Sequence, residues 1–311
     1  MAIKIEFNNP FSAEGNWYKG NLHTHTDNSD GELSPREVIS LYHRRGYKLL
    51  SLTDHYKLTY GEELKKEGIC LIPGEEIDGG QSAAGTSFHI VALNITKEIT
   101  FANKEEITAQ EIINRIKAEN GEALIAHPYW SGLTLHDILP LEGYLGIEVF
   151  NSTCLNSIGK GESSVHWDNL LAKGKRISGF ATDDTHGYSE QQYHPMDMGK
   201  GWIMVKAISL NRETIMDSIK KGLFYASCGP GIKNLSIEKE IIKVETSPVS
   251  SITFIASASQ GGRISTSSTL TQAEYEIRGG EKYIRIECAD NRGRKAWTSP
   301  LFLTNQSGEY F

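Results

Sequence analysis

The chain has 311 residues, 39% apolar and 23% charged, which suits one large domain plus a small second one and excludes intrinsic disorder or a fibre. Its 32 Lys+Arg against 39 Asp+Glu leave a net charge of −7, which argues against tracking long nucleic acid with a basic face but leaves room for a local anion pocket. No apolar run reaches the roughly 18–20 residues of a bilayer span, no basic-then-apolar leader is visible, and the four cysteines (Cys70, Cys154, Cys228, Cys288) lie far apart, so the expected setting is a reducing cytoplasm with no membrane partner.

Over the first 220 residues, strands and helices alternate. Ser34-Pro35-Arg36-Glu37 is a capping box that opens a helix through Arg45, ended by Gly46. Lys48–Thr53 reads as a buried strand, and Cys70–Ile72 as a short one ending at Pro73-Gly74. Phe88–Leu93 is the next strand. Thr108 and Glu111 box the start of a helix running to about Asn120, with Ile112, Ile113 and Ile116 on its buried face. Glu122–Ala126, Gly146–Phe150, Arg176–Ala181 and Trp202–Ala207 read as strands, with helices around Ser163–Ala172 and Arg212–Lys220. This alternation predicts an α/β fold built on a parallel sheet, open or closed into a barrel. After about Leu223 the helix period disappears. Ser251–Ala256, Ala273–Ile277, Tyr283–Cys288 and Ala296–Leu303 read as strands of a small antiparallel module, giving expected domains of 1–222 and 223–311.

Six of the ten histidines fall at or near predicted strand ends. His23-Thr24-His25 points two imidazoles to one side of an extended segment, as two metal ligands or as an exposed pair. Asp30 follows in a polar turn. Asp54-His55 ends the KLLSLT strand, where charge is costly unless solvated, paired or metal-bound. Glu75-Glu76, His89, His127 and Asp183-Asp184-Thr185-His186 repeat the pattern. So many imidazoles and carboxylates exceed the needs of one tetrahedral ion and suit two or three divalent ions, with Zn, Mn or Fe favoured by the mixed ligands.

These residues, in this order, resemble the PHP (polymerase and histidinol phosphatase) superfamily of metal-dependent phosphoesterases. The resemblance runs from KGNLHTHTDNSDG through YKLLSLTDH, IPGEEI, FHIVAL and IAHP to DDTH, roughly residues 17–205. It implies a distorted seven-stranded β/α barrel and a hydrolase in which a metal-bridging hydroxide cleaves a small phosphate mono- or diester. It also implies ligand sets of His23, His25, Glu76 and Asp184 for one ion, Asp30, His55 and His186 for a second, and Glu76, His89 and His127 for a third. Gly146–Asn151, Trp167-Asp168 and Ala296–Pro300 are similar to the subgroup of CehA-type hydrolases, whose substrates are diverse. Asp54 and Asp183 are candidates for orienting ligating histidines or moving protons, or else for capping. His194, in the loop 187–199, either meets substrate or is solvated. Glu148 and Asn151 either shape the pocket or serve packing and turns; Lys200 and Arg44 either contact phosphate or lie on the surface. The expected partner is a small phosphorylated molecule, a short nucleotide being more plausible than a long strand. Ester, amide or carbamate hydrolysis, or metal and ligand binding without catalysis, are the alternatives. The oligomeric state is open.

Overall fold

The computed structural model describes residues 3–103, 106–187 and 197–304. Its strands and helices, in chain order, are β1 (Lys4–Glu6), β2 (Asn16–Asn21), α1 (Pro35–Arg44), β3 (Leu49–Leu52), β4 (Cys70–Gln81), β5 (Ser87–Leu93), α2 (Ala109–Ala118), β6 (Glu122–Ile125), α3 (Leu135–Ile138), β7 (Tyr144–Asn151), α4 (Ser152–Ile158), α5 (Ser164–Ala172), β8 (Ser178–Thr182), β9 (Trp202–Ala207), α6 (Arg212–Lys220), β10 (Phe224–Ser227), β11 (Ile232–Glu238), β12 (Ile241–Ala256), β13 (Gly261–Glu276), β14 (Tyr283–Ala289), β15 (Lys295–Thr298) and β16 (Leu301–Thr304). Both expected capping boxes form, Ser34 with Glu37 and Thr108 with Glu111, and Asn211 caps α6 through Thr214 N.

The sheet is mixed, which corrects the expectation of a parallel one. β2–β3–β4 and β6–β7–β8 are parallel, but β5 is antiparallel to both β4 and β6. The reason is local. Only residues 82–86 join β4 to β5, and a parallel return needs a crossover of a dozen or more. β4 also runs on past Pro73-Gly74, where it was expected to stop. Pro73 ends the ladder with β3, and Gly74 begins the ladder with β5. A Cβ at Gly74 would lie 2.6 Å from the Ala92 carbonyl oxygen, so glycine permits the change of partner. Beyond the ends of β2 and β8, His25 N donates to Thr185 O at 2.9 Å and Asp184 N to His23 O at 3.0 Å. The path from β2 to β8 therefore returns on itself where the histidine-rich segments lie.

β9 also departs from the expected parallel alternation, pairing antiparallel with β2 and β10, and β10 pairs with β15. Hydrogen bonding is thus continuous into the C-terminal strands, where β12 and β13 are far longer than expected. One core lies under β2–β9 with α2, α5 and α6, a smaller one lies between α1 and β3, and another lies within β11–β16. Their contact includes a bidentate pair, the buried Arg285 guanidinium of β14 on Asp168 of α5 at 2.6 and 2.7 Å.

Candidate metal centre

The nine anticipated residues converge on one pit at the edge where β2 and β8 meet, in four overlapping groups whose ligand atoms lie within 4.8 Å of one another, and the buried Cys154, not anticipated, joins His127 and Asp184 in one of them. His23 and His25 follow β2 in extended backbone and face the same way. Glu76 enters from mid-β4, His89 from β5, His127 from just past β6, and Asp184 and His186 from beyond β8. Asp184 and His127 both have positive φ, 54° and 27°, values that non-glycine residues seldom adopt and that turn these side chains into the pit.

At the bottom of the pit, His23 Nδ1 lies 2.7 Å from Glu148 Oε1. An ionised carboxylate only accepts, so Nδ1 carries the proton and Nε2 of the neutral ring presents a lone pair. That lone pair faces His25 Nε2 at 3.1 Å, Glu76 Oε2 at 3.1 Å and Asp184 Oδ1 at 3.2 Å. His25 Nε2 is likewise 3.1 Å from both carboxylates. Four electron-pair donors this close repel unless positive charge lies among them. Bonds of about 2.0–2.1 Å to a tetrahedral ion separate its ligands by roughly 3.3 Å, so the donor set fits a divalent cation.

Glu76 is the hub. Its Oε1 faces His89 Nδ1 at 2.9 Å and His127 Nε2 at 3.4 Å, and its Oε2 also faces His55 Nε2 at 3.5 Å. Outside this cluster, His186 Nδ1 donates to the Asp184 carbonyl at 2.9 Å, leaving Nε2 toward Asp30 Oδ2 at 3.3 Å. The closest groupings place His25 with Asp30 and His186, and His55 with Glu76 and His89. His55 is 3.7 Å from Asp30, so it stands between the two groups rather than wholly in the one anticipated.

The field of the pit is strongly negative. Burial works against a charged His25, but hydrogen bonds to Asp184 and Glu76 outweigh it and raise the imidazole to about 10. His23 is raised in the same way, against burial, by Asp184, Glu76 and Glu148. Reciprocally, and again against burial, the surrounding imidazoles hold Glu76, Asp184 and Asp30 below the usual carboxylate range.

The acids proposed for catalysis sit elsewhere. Asp54 accepts from Thr26 N at 2.6 Å, Thr26 Oγ1 at 2.7 Å and Ser29 Oγ at 2.8 Å, fixing the turn that carries Asp30. Asp183 points away from the pit, accepting from the Gly199, Lys200 and Gly201 amides at 2.6–2.7 Å and from Tyr42 Oη at 2.7 Å. Neither orients a ligating imidazole. His194 lies outside the described residues. The orienting acid is Glu148, fully buried and bonded also to Thr182 Oγ1, His127 N and Asn151 Nδ2 at 2.7–2.9 Å. Asn151 bridges onward to Asp184 Oδ2 at 3.1 Å and caps α4 through Cys154 N. Asp197, unremarked in the sequence, holds His186 N at 2.7 Å and Thr153 Oγ1 at 3.0 Å. Glu148→Gln is expected to weaken metal binding about 10–100-fold through loss of the His23 tautomer lock. A metal-buffered titration checks this; unchanged affinity would show that His23 is oriented without it.

The pit opens into a cavity of about 430 Å³ whose outer wall is Trp130 and the α4 residues Thr153, Asn156, Ser157 and Ile158. Neither Lys200 nor Arg44 lines it. Among the described residues, no helix is long and apolar enough to cross a membrane.

No family model matches the chain. An uncharacterized protein of Methanocaldococcus jannaschii is 28% identical over 154 residues, 43% of this chain and 82% of that protein. A 5'-3' exoribonuclease of Haemophilus influenzae is 39% identical over 83 residues, 25% of this chain, so the match spans only 30% of that enzyme's length. Among solved structures, a two-domain protein of Bacteroides vulgatus containing a predicted PHP-like metal-dependent phosphoesterase matches at 15% identity and a TM-score of 0.50, covering 94% of this chain and 99% of that one. Over nearly the whole of both chains, this protein shares the fold of that two-domain protein.

Proposed function

We propose that the protein is a metal-dependent hydrolase that cleaves a small phosphate mono- or diester, with two or three divalent ions held by the nine clustered ligands. The observation that carries this reading is the 3.1–3.2 Å approach of His23 and His25 to each other and to Glu76 and Asp184, a spacing that matches the ligands of a tetrahedral divalent ion, whose place ring protons take in the metal-free protein. The fold likeness supports it, and β2 to β8 would then form the seven-stranded β/α barrel. Divalent ions in such a site polarise a phosphoryl oxygen and acidify water at neutral pH. The chain's own residues do the rest. Glu148 fixes the His23 tautomer, Asp54 fixes the turn bearing Asp30, and Asp197 fixes the backbone of His186. The cavity beside them has room for a small ester and is bounded on one side by ligating histidines.

The test is turnover of p-nitrophenyl phosphate and bis-p-nitrophenyl phosphate by protein reconstituted with Zn²⁺, Mn²⁺ or Fe²⁺, beside p-nitrophenyl acetate. Chelator-sensitive release of nitrophenol from a phosphate ester is expected. Cleavage of the acetate alone would redirect the assignment to carbonyl hydrolysis. Stoichiometric metal without turnover of any of the three would identify a binding protein.

A further inference from the structure

We infer that the outer half of the cavity is a subsite for a flat apolar group, an aryl substituent of a phosphodiester; this rests on the hydrolase reading above. Most large apolar side chains among the described residues are buried or half-buried. Of the eight large ones exposed among the described residues, five stand on the segment 127–133, on α4 and at the start of α5: Tyr129, Trp130, Leu155, Ile158 and Val165. Two of these, Trp130 and Ile158, line the cavity itself, 40% and 60% exposed. Leaving them in water forgoes burial energy, which a ligand's apolar surface would recover. Trp130 is also held in place. Its ring stands nearly perpendicular to His89 at 5.7 Å and to His127 at 5.0 Å. An indole fixed against two metal-ligating imidazoles offers an aromatic contact directly beside the reacting phosphate.

Charge narrows the substrate further. The described residues lining the cavity include no Lys or Arg. Thr153, Asn156 and Ser157 supply only neutral hydrogen-bonding groups. A second anionic group on the substrate would therefore meet Asp197 and neutral atoms without a side-chain cation to pair with. A diester brings one negative charge to the ions, whereas a monoester brings nearly two. The wall thus matches a singly charged diester with an uncharged, flat substituent.

Calorimetric titration of the metal-loaded protein with diphenyl phosphate and with dimethyl phosphate tests this directly. Diphenyl phosphate is expected to bind about tenfold more tightly. Trp130→Ala should bring the two affinities within about threefold of each other, and Trp130→Phe should keep most of the difference. Ile158→Ser, at an exposed helix end, should narrow the gap without burdening the fold. In turnover, Trp130→Ala should raise KM for bis-p-nitrophenyl phosphate more than it lowers kcat. Equal binding of the two phosphates by the unmodified protein, or a ratio unchanged in both Trp130→Ala and Ile158→Ser, would overturn the subsite. If no ester is cleaved while the Trp130-dependent ratio persists, the hydrolase reading falls and the subsite stands.

Discussion

Glu76→Gln is expected to lower kcat/KM for the proposed phosphate-ester hydrolysis by at least about 10³-fold, equivalent to roughly 4 kcal/mol of transition-state stabilisation. Five imidazoles surround this one carboxylate, three on Oε2 and two on Oε1. The amide has the same shape but no charge, and its NH₂ replaces one acceptor oxygen with a donor. One of the two groups of histidines then loses its shared anionic ligand. The metal count, read by elemental analysis, should fall by at least one ion per chain. A variant with full metal content and activity within tenfold of the parent would remove Glu76 from the centre of the mechanism.

Stripping the metal should make stability fall as pH rises from about 6.5 to about 10, and reloading it should flatten that slope. His25 has a folded value near 10 and an ordinary value near 6.5, and His23 is raised as well. A group whose folded pKa is raised stabilises fully below its unfolded pKa and loses that contribution as pH climbs through the folded one. Glu76 and Asp184 are depressed, so their contributions are already complete above the usual carboxylate range and are lost only on acidification through the lowered values. Between 6.5 and 10 the histidines therefore set the slope. In the metal-free protein the protons on these rings neutralise the carboxylates; a divalent ion takes their place and needs the rings deprotonated, so affinity should rise over the same window. Differential scanning calorimetry should show the apo Tm dropping by more than about 5 °C across it, with each saturating ion adding about 4 kcal/mol at a thousandfold excess over Kd. A metal-free Tm that is level or rising over this range would contradict the assigned field.

The clustered positions were readable because a charged residue at or beside an apolar run is conspicuous, and β3, β6 and β8 are apolar runs. Glu76 and His89 lie within long strands rather than at their ends, because β4 changes partner at Pro73-Gly74, a switch that no spacing announces. Which of two adjacent acids turns inward was legible only through the family resemblance. In the fold it follows from the left-handed backbone of Asp184, which sends Asp183 toward the amides of 199–201 instead. Glu148 had the weakest local signal, one acid in the strand GIEVFN, although it makes the contact that defines the His23 tautomer. α4 escaped because its seven residues, STCLNSI, are too few to display a helical period. β12 and β13 were cut short for a different reason. The first part of β13 is rich in Ser and Thr and largely exposed, so no apolar alternation marks where its pairing begins, whereas β12 buries Ile242, Val244, Thr246 and Val249 around the exposed Glu245 and Pro248.

Asn151 gives the molecule an unusual constraint on its own divergence. One amide group joins Glu148 and Asp184 while its carbonyl seats the first turn of α4. The cavity wall and two of the clustered acids are thus anchored to a single side chain. Drift at the free end of α4, around Asn156 to Ile158, can reshape selectivity while the ions stay put. Drift at its root cannot, because any shift there is transmitted to Asp184. New specificities in descendants of this chain should therefore accumulate at the tip of that helix and leave its base unchanged.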